Sequence, residues 1–290
     1  MTTPDALAAL QRETGRGYTE VESLPGGAVS HATVVTDADG HQVVLKWWRP
    51  AEGESDSLAW LQRAARRVEV LRARGYPAPA YEVVAERDGI LLVVQELLPG
   101  RPPEQLRSVH VRALVTINEL QEDTQPGDPE WGAYLVSTLL HGAEGYCLHE
   151  PMRSHSAASA ALLERILAIG EATPASSLPG HDLAHLDFHH LNALAEGDAI
   201  TGVVDCEGIR PGDRVFDLVT LLFCSVEGGL DSHGQDELWA QTLRLREPGV
   251  VRAYLAHMAL RLASWSIVHD DDAVAARWIA HGTTWLDRAS

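Results

Sequence analysis

Residues 185 to 192 read His185-Leu186-Asp187-Phe188-His189-His190-Leu191-Asn192, which places a carboxylate two residues after a histidine and five before an asparagine. Thirteen residues beyond Asn192, the apolar β-type run Val203-Val204 ends in Asp205, followed by Cys206-Glu207-Gly208. Phosphoryl transfer to a hydroxyl asks for little covalent chemistry from the protein. It needs a carboxylate to orient and deprotonate the attacking hydroxyl, and oxygen donors to hold Mg²⁺ on the nucleotide phosphates. Asp187 suits the first role, and Asn192 and Asp205 suit the second.

The spacing H-x-D-x-x-x-x-N with a later metal-binding Asp is that of the protein-kinase catalytic loop. Here Leu186 stands where that loop has Arg, and Cys206-Glu207 where it has Phe-Gly, which points to kinases of small molecules. The chain resembles the aminoglycoside phosphotransferase family, the choline-kinase-like and protein-kinase-like small-molecule kinases. That family typically shows His-Gly-Asp-Leu-His-Pro-Gly-Asn, then Ile-Asp-Trp-Glu, then Gly-Asp-Pro-x-x-Asp-Leu. This sequence has the octet above, Val204-Asp205-Cys206-Glu207, and Gly212-Asp213-Arg214-Val215-Phe216-Asp217-Leu218 in the same order. The departures are Leu186 and Leu191 for Gly, His190 for Pro and Cys206 for the aromatic residue. The likeness spans nearly the whole chain.

The resemblance implies an α+β, protein-kinase-like bilobal fold. Residues 1–98 would form a small β-rich nucleotide-binding lobe with one main helix, and residues 99–290 a larger, mostly helical lobe with the catalytic loop and acceptor site. It also implies ATP, or GTP, as phosphoryl donor with Mg²⁺, and the hydroxyl of a small molecule as acceptor. Asp187 is then the base, Asn192 and Asp205 hold the metal, and His185 shapes the loop without carrying a proton. Asp217 anchors the loop backbone, and Asp213 is a turn residue.

Lys46 ends the run Val43-Val44-Leu45, the position from which a strand lysine reaches the α and β phosphates; a lysine on an edge strand can also simply block aggregation. Its helix partner is expected at Glu69, which reads equally as a solvated helix residue; Glu54 is too close in sequence to Lys46. Gly26 and Gly27 with Ser30 suit a lid that offers N–H groups and a hydroxyl to phosphates. Val93 to Gly100 matches the family's hinge, where backbone at Glu96 and Leu98 would meet the base edge. Glu207 either reaches a cationic acceptor or shapes the loop.

Positioning these residues requires a β-β-β-α-β-β arrangement. Strands are expected over 21–37, broken by the glycine turn near Gly26, and over 41–48, 81–86 and 90–95, with a helix over 57–74 between them. Pro99-Gly100-Arg101-Pro102-Pro103 reads as a linker. Helices are expected beyond it over 105–122, 131–141, 156–171 and 215–223, with a carboxy-terminal helical run over 250–287.

Composition narrows the partners. The 290 residues hold 41 Asp and Glu against 23 Lys and Arg, a net charge of −18, which disfavours nucleic acid and anionic membrane and favours a cationic small molecule. Three unpaired cysteines and an amino terminus without signal-peptide character suggest the cytoplasm. Glu227, Asp231, Asp236, Glu237 and the run Asp270-Asp271-Asp272 follow Asp217 and suit ammonium groups, or are solvated surface. Trp131, Trp239, Trp265, Trp278 and Trp285 stack on an amphipathic acceptor or fill core. The expected acceptor is a cationic antibiotic such as an aminoglycoside, with choline, homoserine or a sugar-like metabolite as the alternative.

Two other classes fit less well. His181, Asp182, His185, Asp187, His189 and His190 are crowded enough for a zinc hydrolase, yet neither H-x-H-x-D-H nor H-E-x-x-H is present. A non-catalytic pseudokinase would not be expected to keep Lys46, Asp187, Asn192 and Asp205 together.

Overall fold

The computed structural model describes residues 2–24, 31–50, 56–125, 127–143 and 145–290. The chain divides into two compact units, one of residues 1–102 with 193–209, the other of 103–192 with 210–290. The sequence suggested a single boundary at 98/99; the hairpin carrying Asp205 instead packs with the amino-terminal residues.

In the first unit, α1 (Thr3–Thr14) starts with Pro at its first turn and ends at Gly15 in the left-handed conformation. The strands β1 (Tyr18–Ser23), β2 (His31–Asp37), β3 (Gln42–Trp48), β4 (Tyr81–Arg87) and β5 (Ile90–Glu96) form an antiparallel sheet in the order β1-β2-β3-β5-β4. Strand periodicity sorts their side chains by face. Val43, Leu45, Trp47, Leu92 and Val94 cluster with Ala6, Ala9 and Leu10 of α1. Leu91 and Val93 pack instead with Leu61 of α2 (Ser57–Arg72). Lys46 pairs with Val93 and Val44 with Gln95, so Lys46 and Gln95 share this second face. The β-β-β-α-β-β order expected from the sequence is present.

The same unit contains the hairpin β7 (Ala193–Glu196) and β8 (Ala199–Val203). Val203 N–H donates to Pro77 C=O, and Arg67 of α2 donates to Ile209 C=O. The expected linker is tied to this hairpin through reciprocal backbone bonds between Arg101 and Ala195. Gly100 sits at φ +96°, where a Cβ would lie 2.5 Å from Thr201 Oγ1 and 2.9 Å from Ala195 C=O, so only glycine fits.

The second unit is helical: α3 (Ser108–Glu119), α4 (Pro129–His141), α5 (His149–His155), α6 (Ala157–Ala172), α7 (Arg214–Cys224), α8 (Ser232–Leu245), α9 (Pro248–His269) and α10 (Asp272–Arg288). A short antiparallel pair, β6 (Asp182–Ala184) with β9 (Arg210–Gly212), flanks the catalytic octet. Every residue of α7 is buried, and α9 is buried along most of its length. The expected run over 250–287 is two helices, because Asp271 accepts a hydrogen bond from Val274 N–H and begins a new one. Helices α5 and α8 went unpredicted; α8 buries only Gly234, Leu238 and Thr242, too little for a clear apolar stripe. No described helix is long and apolar enough to cross a membrane.

His257 lies in the core of this unit, edge-on to Phe216 with ring centroids 5.1 Å apart. Burial, with Arg261 nearby, pushes its pKa down to about 3. The folded ring therefore stays neutral while the unfolded chain binds a proton near pH 6.5. Stability that is complete above about pH 6.5 is then lost progressively as pH falls towards 3. Urea unfolding midpoints should drop between pH 7 and 4, and His257→Phe should flatten that drop. An identical pH profile in the two chains would exclude His257 as its source.

Candidate active site

Two sets of chemically active side chains are held, one in each compact unit. In the first, Lys46 is 12% exposed, and its Nζ lies 2.8 Å from Asp205 Oδ1 and 2.9 and 3.0 Å from the two oxygens of Glu207. Gln95 Nε2 donates to Glu207 Oε1 at 2.9 Å. Burial alone would lower the lysine pKa; the Glu207 and Asp205 carboxylates outweigh it and hold the ammonium above its ordinary value. Asp205 adopts the left-handed backbone conformation, φ +64°, and its side chain is half exposed. A half-exposed carboxylate is a hard oxygen donor of the kind that suits Mg²⁺.

Two sequence expectations are corrected here. Glu69 is exposed on α2, while Lys46 is neutralised by Glu207 and Asp205. Glu207, expected at the acceptor or as a loop-shaping residue, is buried with its carboxylate on Lys46 and Gln95, so it is a counter-charge for the lysine. At the expected hinge, Glu96 N–H donates to Ala80 C=O, and its carboxylate accepts from Ala80 N–H and pairs with Arg72 at 2.9 Å. Leu98 packs against Gly202 of β8, where a Cβ would meet Leu98 Cδ1 at 2.7 Å. Gly26, Gly27, Ser30 and Glu54 lie outside the described residues.

In the second unit, the catalytic loop hangs from Asp217 in the first turn of α7. Asp217 is fully buried and accepts from His185 N–H at 2.7 Å, Leu186 N–H at 2.8 Å and Gln121 Nε2 at 2.7 Å. Burial pushes its carboxyl up to about 7 against these donors. His185 is also buried, and its Nδ1 accepts from Asp187 N–H at 3.3 Å, a placement that shapes the loop. Leu186, where the resemblance would put Gly, takes φ +70°.

Asp187 Oδ1 lies 2.9 Å from Arg261 Nη2 and 3.5 Å from His189 Nε2. Asn192 Nδ2 donates to Asp187 C=O at 2.9 Å and reaches Oδ2 at 3.3 Å, which keeps the Asn192 amide oxygen as a hard donor for a divalent cation. Burial alone would raise the Asp187 pKa. The His189 hydrogen bond and the Arg261 charge outweigh it and hold the carboxyl well below its usual range. Asp187 is thus a constitutive carboxylate. Arg261, on α9 and seventy-four residues from Asp187, escaped the sequence reading.

Asp213, expected as a turn residue, does more. It is fully buried, caps α7 through Val215 N–H, and is held by Arg246 at 2.8 Å and Tyr254 Oη at 2.7 Å. Asp231, expected at the acceptor, caps α8 through Gly234 N–H. Asp236 pairs with Arg288, Glu237 with His233, and Asp271 caps α10. Glu227 is exposed and shares its electrostatic surroundings with Arg277, His189 and Asp270; partial desolvation raises its pKa. Trp131, Trp278 and Trp285 are buried, and Trp239 packs on Trp285; Trp265 is half-buried against His269. Of the zinc alternative, His181 is exposed, and among the described residues no three His, Cys, Asp or Glu side chains converge as a metal-ligand group.

A half-buried carboxylate beside the left-handed Leu186, a lysine neutralised by two acids, and a five-stranded sheet followed by a helical part go with an α+β phosphotransferase of the protein-kinase-like type. The chain belongs to the phosphotransferase enzyme family APH, which matches residues 20–254. Solved structures carry the same fold. A thermostable mutant of aminoglycoside phosphotransferase APH(4)-Ia superposes with TM-score 0.72 at 16% identity, covering 98% of this chain and 99% of that one. Macrolide 2'-phosphotransferase MphH from Brachybacterium faecium gives 0.60 at 18% identity over 96% and 97%. Amicoumacin kinase hAmiN, solved with AMP-PNP, Ca²⁺ and Ami, gives 0.60 at 15% over 93% and 88%. No curated protein matches the chain.

Glu207→Gln keeps the shape of the lysine site and removes its buried counter-charge. Lys46 would then rest on Asp205 alone, tying up the carboxylate assigned to the metal. Nucleotide affinity measured by calorimetry with Mg²⁺ should fall roughly tenfold, the scale of one charge-assisted contact. Unchanged affinity would remove Glu207 from the site.

Proposed function

We propose that the chain transfers the γ-phosphoryl group of ATP, with GTP as an alternative donor, to a hydroxyl of a small cationic antibiotic. The observation that carries this reading is Asp187: a carboxylate kept ionised, with its loop tied at 2.7 and 2.8 Å to a buried helix. Family membership supports the reaction class. The neighbours support the acceptor class, since one APH(4)-Ia structure holds AMP-PNP and hygromycin B and another neighbour is a macrolide kinase.

In this reading the acceptor hydroxyl donates a hydrogen bond to Asp187. Its oxygen bonds to the γ-phosphorus as the bond to the β–γ bridging oxygen breaks, leaving ADP, and the hydroxyl proton passes to Asp187. A carboxylate with so low a pKa is a weak base, which suits a loose transition state in which the proton leaves late. Lys46 neutralises the α and β phosphates. Asn192 and Asp205 supply the oxygen donors for Mg²⁺, which when bound neutralises charge on the phosphates. His185 and Asp217 keep the loop in shape.

The acidic surplus supports a cationic acceptor less broadly than the sequence suggested, because Asp231, Asp236, Glu237 and Asp271 are engaged within the protein. Glu227 and Asp270, with Trp265 as an aromatic surface, are the groups we assign to the acceptor's ammonium. This favours an acceptor with few positive charges over a dense polycation.

The test is a coupled assay of hydroxylated amines, antibiotics and metabolites with Mg-ATP and Mg-GTP, with phosphorylated product identified by mass spectrometry. Asp187→Asn should lower kcat by about 10² to 10⁴ with nucleotide affinity kept, the value of a positioned base. Asp205→Ala should instead abolish Mg-nucleotide binding. More than about a tenth of wild-type kcat in the folded Asp187→Asn chain would contradict the expected loss and remove this base. Acceptor KM should rise with salt, since surface attraction is screened over roughly 8 Å at physiological ionic strength. A neutral acceptor with a salt-insensitive KM would leave the kinase and refute the cation.

A further inference from the structure

Arg261 touches the catalytic loop at two points. Its Nη1 donates to Leu186 C=O at 2.8 Å, and its Nη2 donates to Asp187 Oδ1 at 2.9 Å. The peptide so gripped is the unusual one. Leu186 occupies the left-handed region at φ +70°, where a residue with a branched side chain is disfavoured. Its N–H is taken by Asp217 and its C=O by Arg261, so both polar groups of this strained residue are fixed from two helices, α7 and α9. The helix bearing Arg261 is itself immobilised, with Leu260, Ala263 and Ser264 buried and Ser264 Oγ accepting from Leu148 N–H.

We propose that Arg261 is a positioning residue for the transfer reaction: its guanidinium clamps the Leu186–Asp187 segment and selects which oxygen of Asp187 meets the acceptor. Oδ1 is engaged by Arg261 and, at 3.5 Å, by His189. Among the described residues Oδ2 has a single longer contact, from Asn192 at 3.3 Å, and is the oxygen presented to the hydroxyl. Only a planar fork serves two acceptors in this way. A lysine ammonium at the same place reaches one of them and leaves the carboxylate free to rotate. The clamp also explains how the loop tolerates Leu186 where glycine would adopt the same backbone without strain.

The inference rests on Asp187 being the base, so the experiment separates the two. In the phosphotransfer assay, Arg261→Ala should lower kcat by roughly a hundredfold and Arg261→Lys by roughly tenfold, the scale of an ångström-level misplacement of a reacting group. Nucleotide KM should stay within about twofold, because no bond to the nucleotide is removed. Added guanidinium should restore part of the kcat of Arg261→Ala and none of that of Asp187→Asn, an outcome that loss of folding would not give.

A double-mutant cycle in urea needs no substrate. Arg261→Ala should cost less stability in the Leu186→Gly background than in wild type, because the strain that the clamp restrains is gone. A folded Arg261→Ala chain with kcat within about twofold of wild type, or strictly additive unfolding energies in the cycle, would overturn the clamp. Wild-type chain that phosphorylates nothing in the panel sinks the kinase reading; the unfolding cycle then decides the clamp alone.

Discussion

The catalytic part of this protein depends on one buried carboxylate. Asp217 sits in the first turn of a helix that is buried on every side, and it collects the N–H groups of two consecutive loop residues together with the Gln121 amide. A helix N-terminus tolerates negative charge, because its own unpaired N–H groups present partial positive charge. Three further donors satisfy the side chain where water is excluded. Immediately after these two N–H groups the left-handed Leu186 turns the chain. The position of Asp187, one residue on, follows from this geometry.

The other unit solves a charge problem. A lysine within the central strand β3 is largely buried, and an unpaired ammonium there would be expensive. Glu207 and Asp205 arrive together on the hairpin 193–209 and compensate it, with Gln95 satisfying the carboxylate of Glu207. The two acids are unlike in exposure. Glu207 is enclosed, while Asp205 is half open to solvent.

Much of this was legible in the sequence, and the reason is local. Asp187, Asn192, Asp205 and Asp217 fall in short ordered motifs that carry the family resemblance, and Lys46 follows the apolar run Val43-Val44-Leu45, so local pattern together with that resemblance pointed to them. The five strands and α2 showed their periodicity directly. Contacts distant in sequence were the ones misjudged. Glu69 lies on α2 and is exposed, whereas Glu207 reaches Lys46 across 161 residues, a contact that no local pattern encodes. Arg261 stands in a largely buried helix, and no local spacing ties it to Asp187. The acidic residues after Asp217 read as a binding surface because a carboxylate capping a helix or pairing with arginine has the same composition as one awaiting a ligand.

The hairpin that completes the lysine site has a consequence for how the chain comes off the ribosome. Residues 1–102 contain the whole five-stranded sheet, while among the described residues the two acids that neutralise Lys46, Asp205 and Glu207, are made about a hundred residues later. The chain passes from one unit to the other after 102, after 192 and again after 209. The sheet therefore emerges during synthesis before the two acids that compensate its lysine. The amino-terminal unit is complete only once residues 103–192 of the helical unit have been translated and the hairpin that bonds Pro77 C=O has followed them.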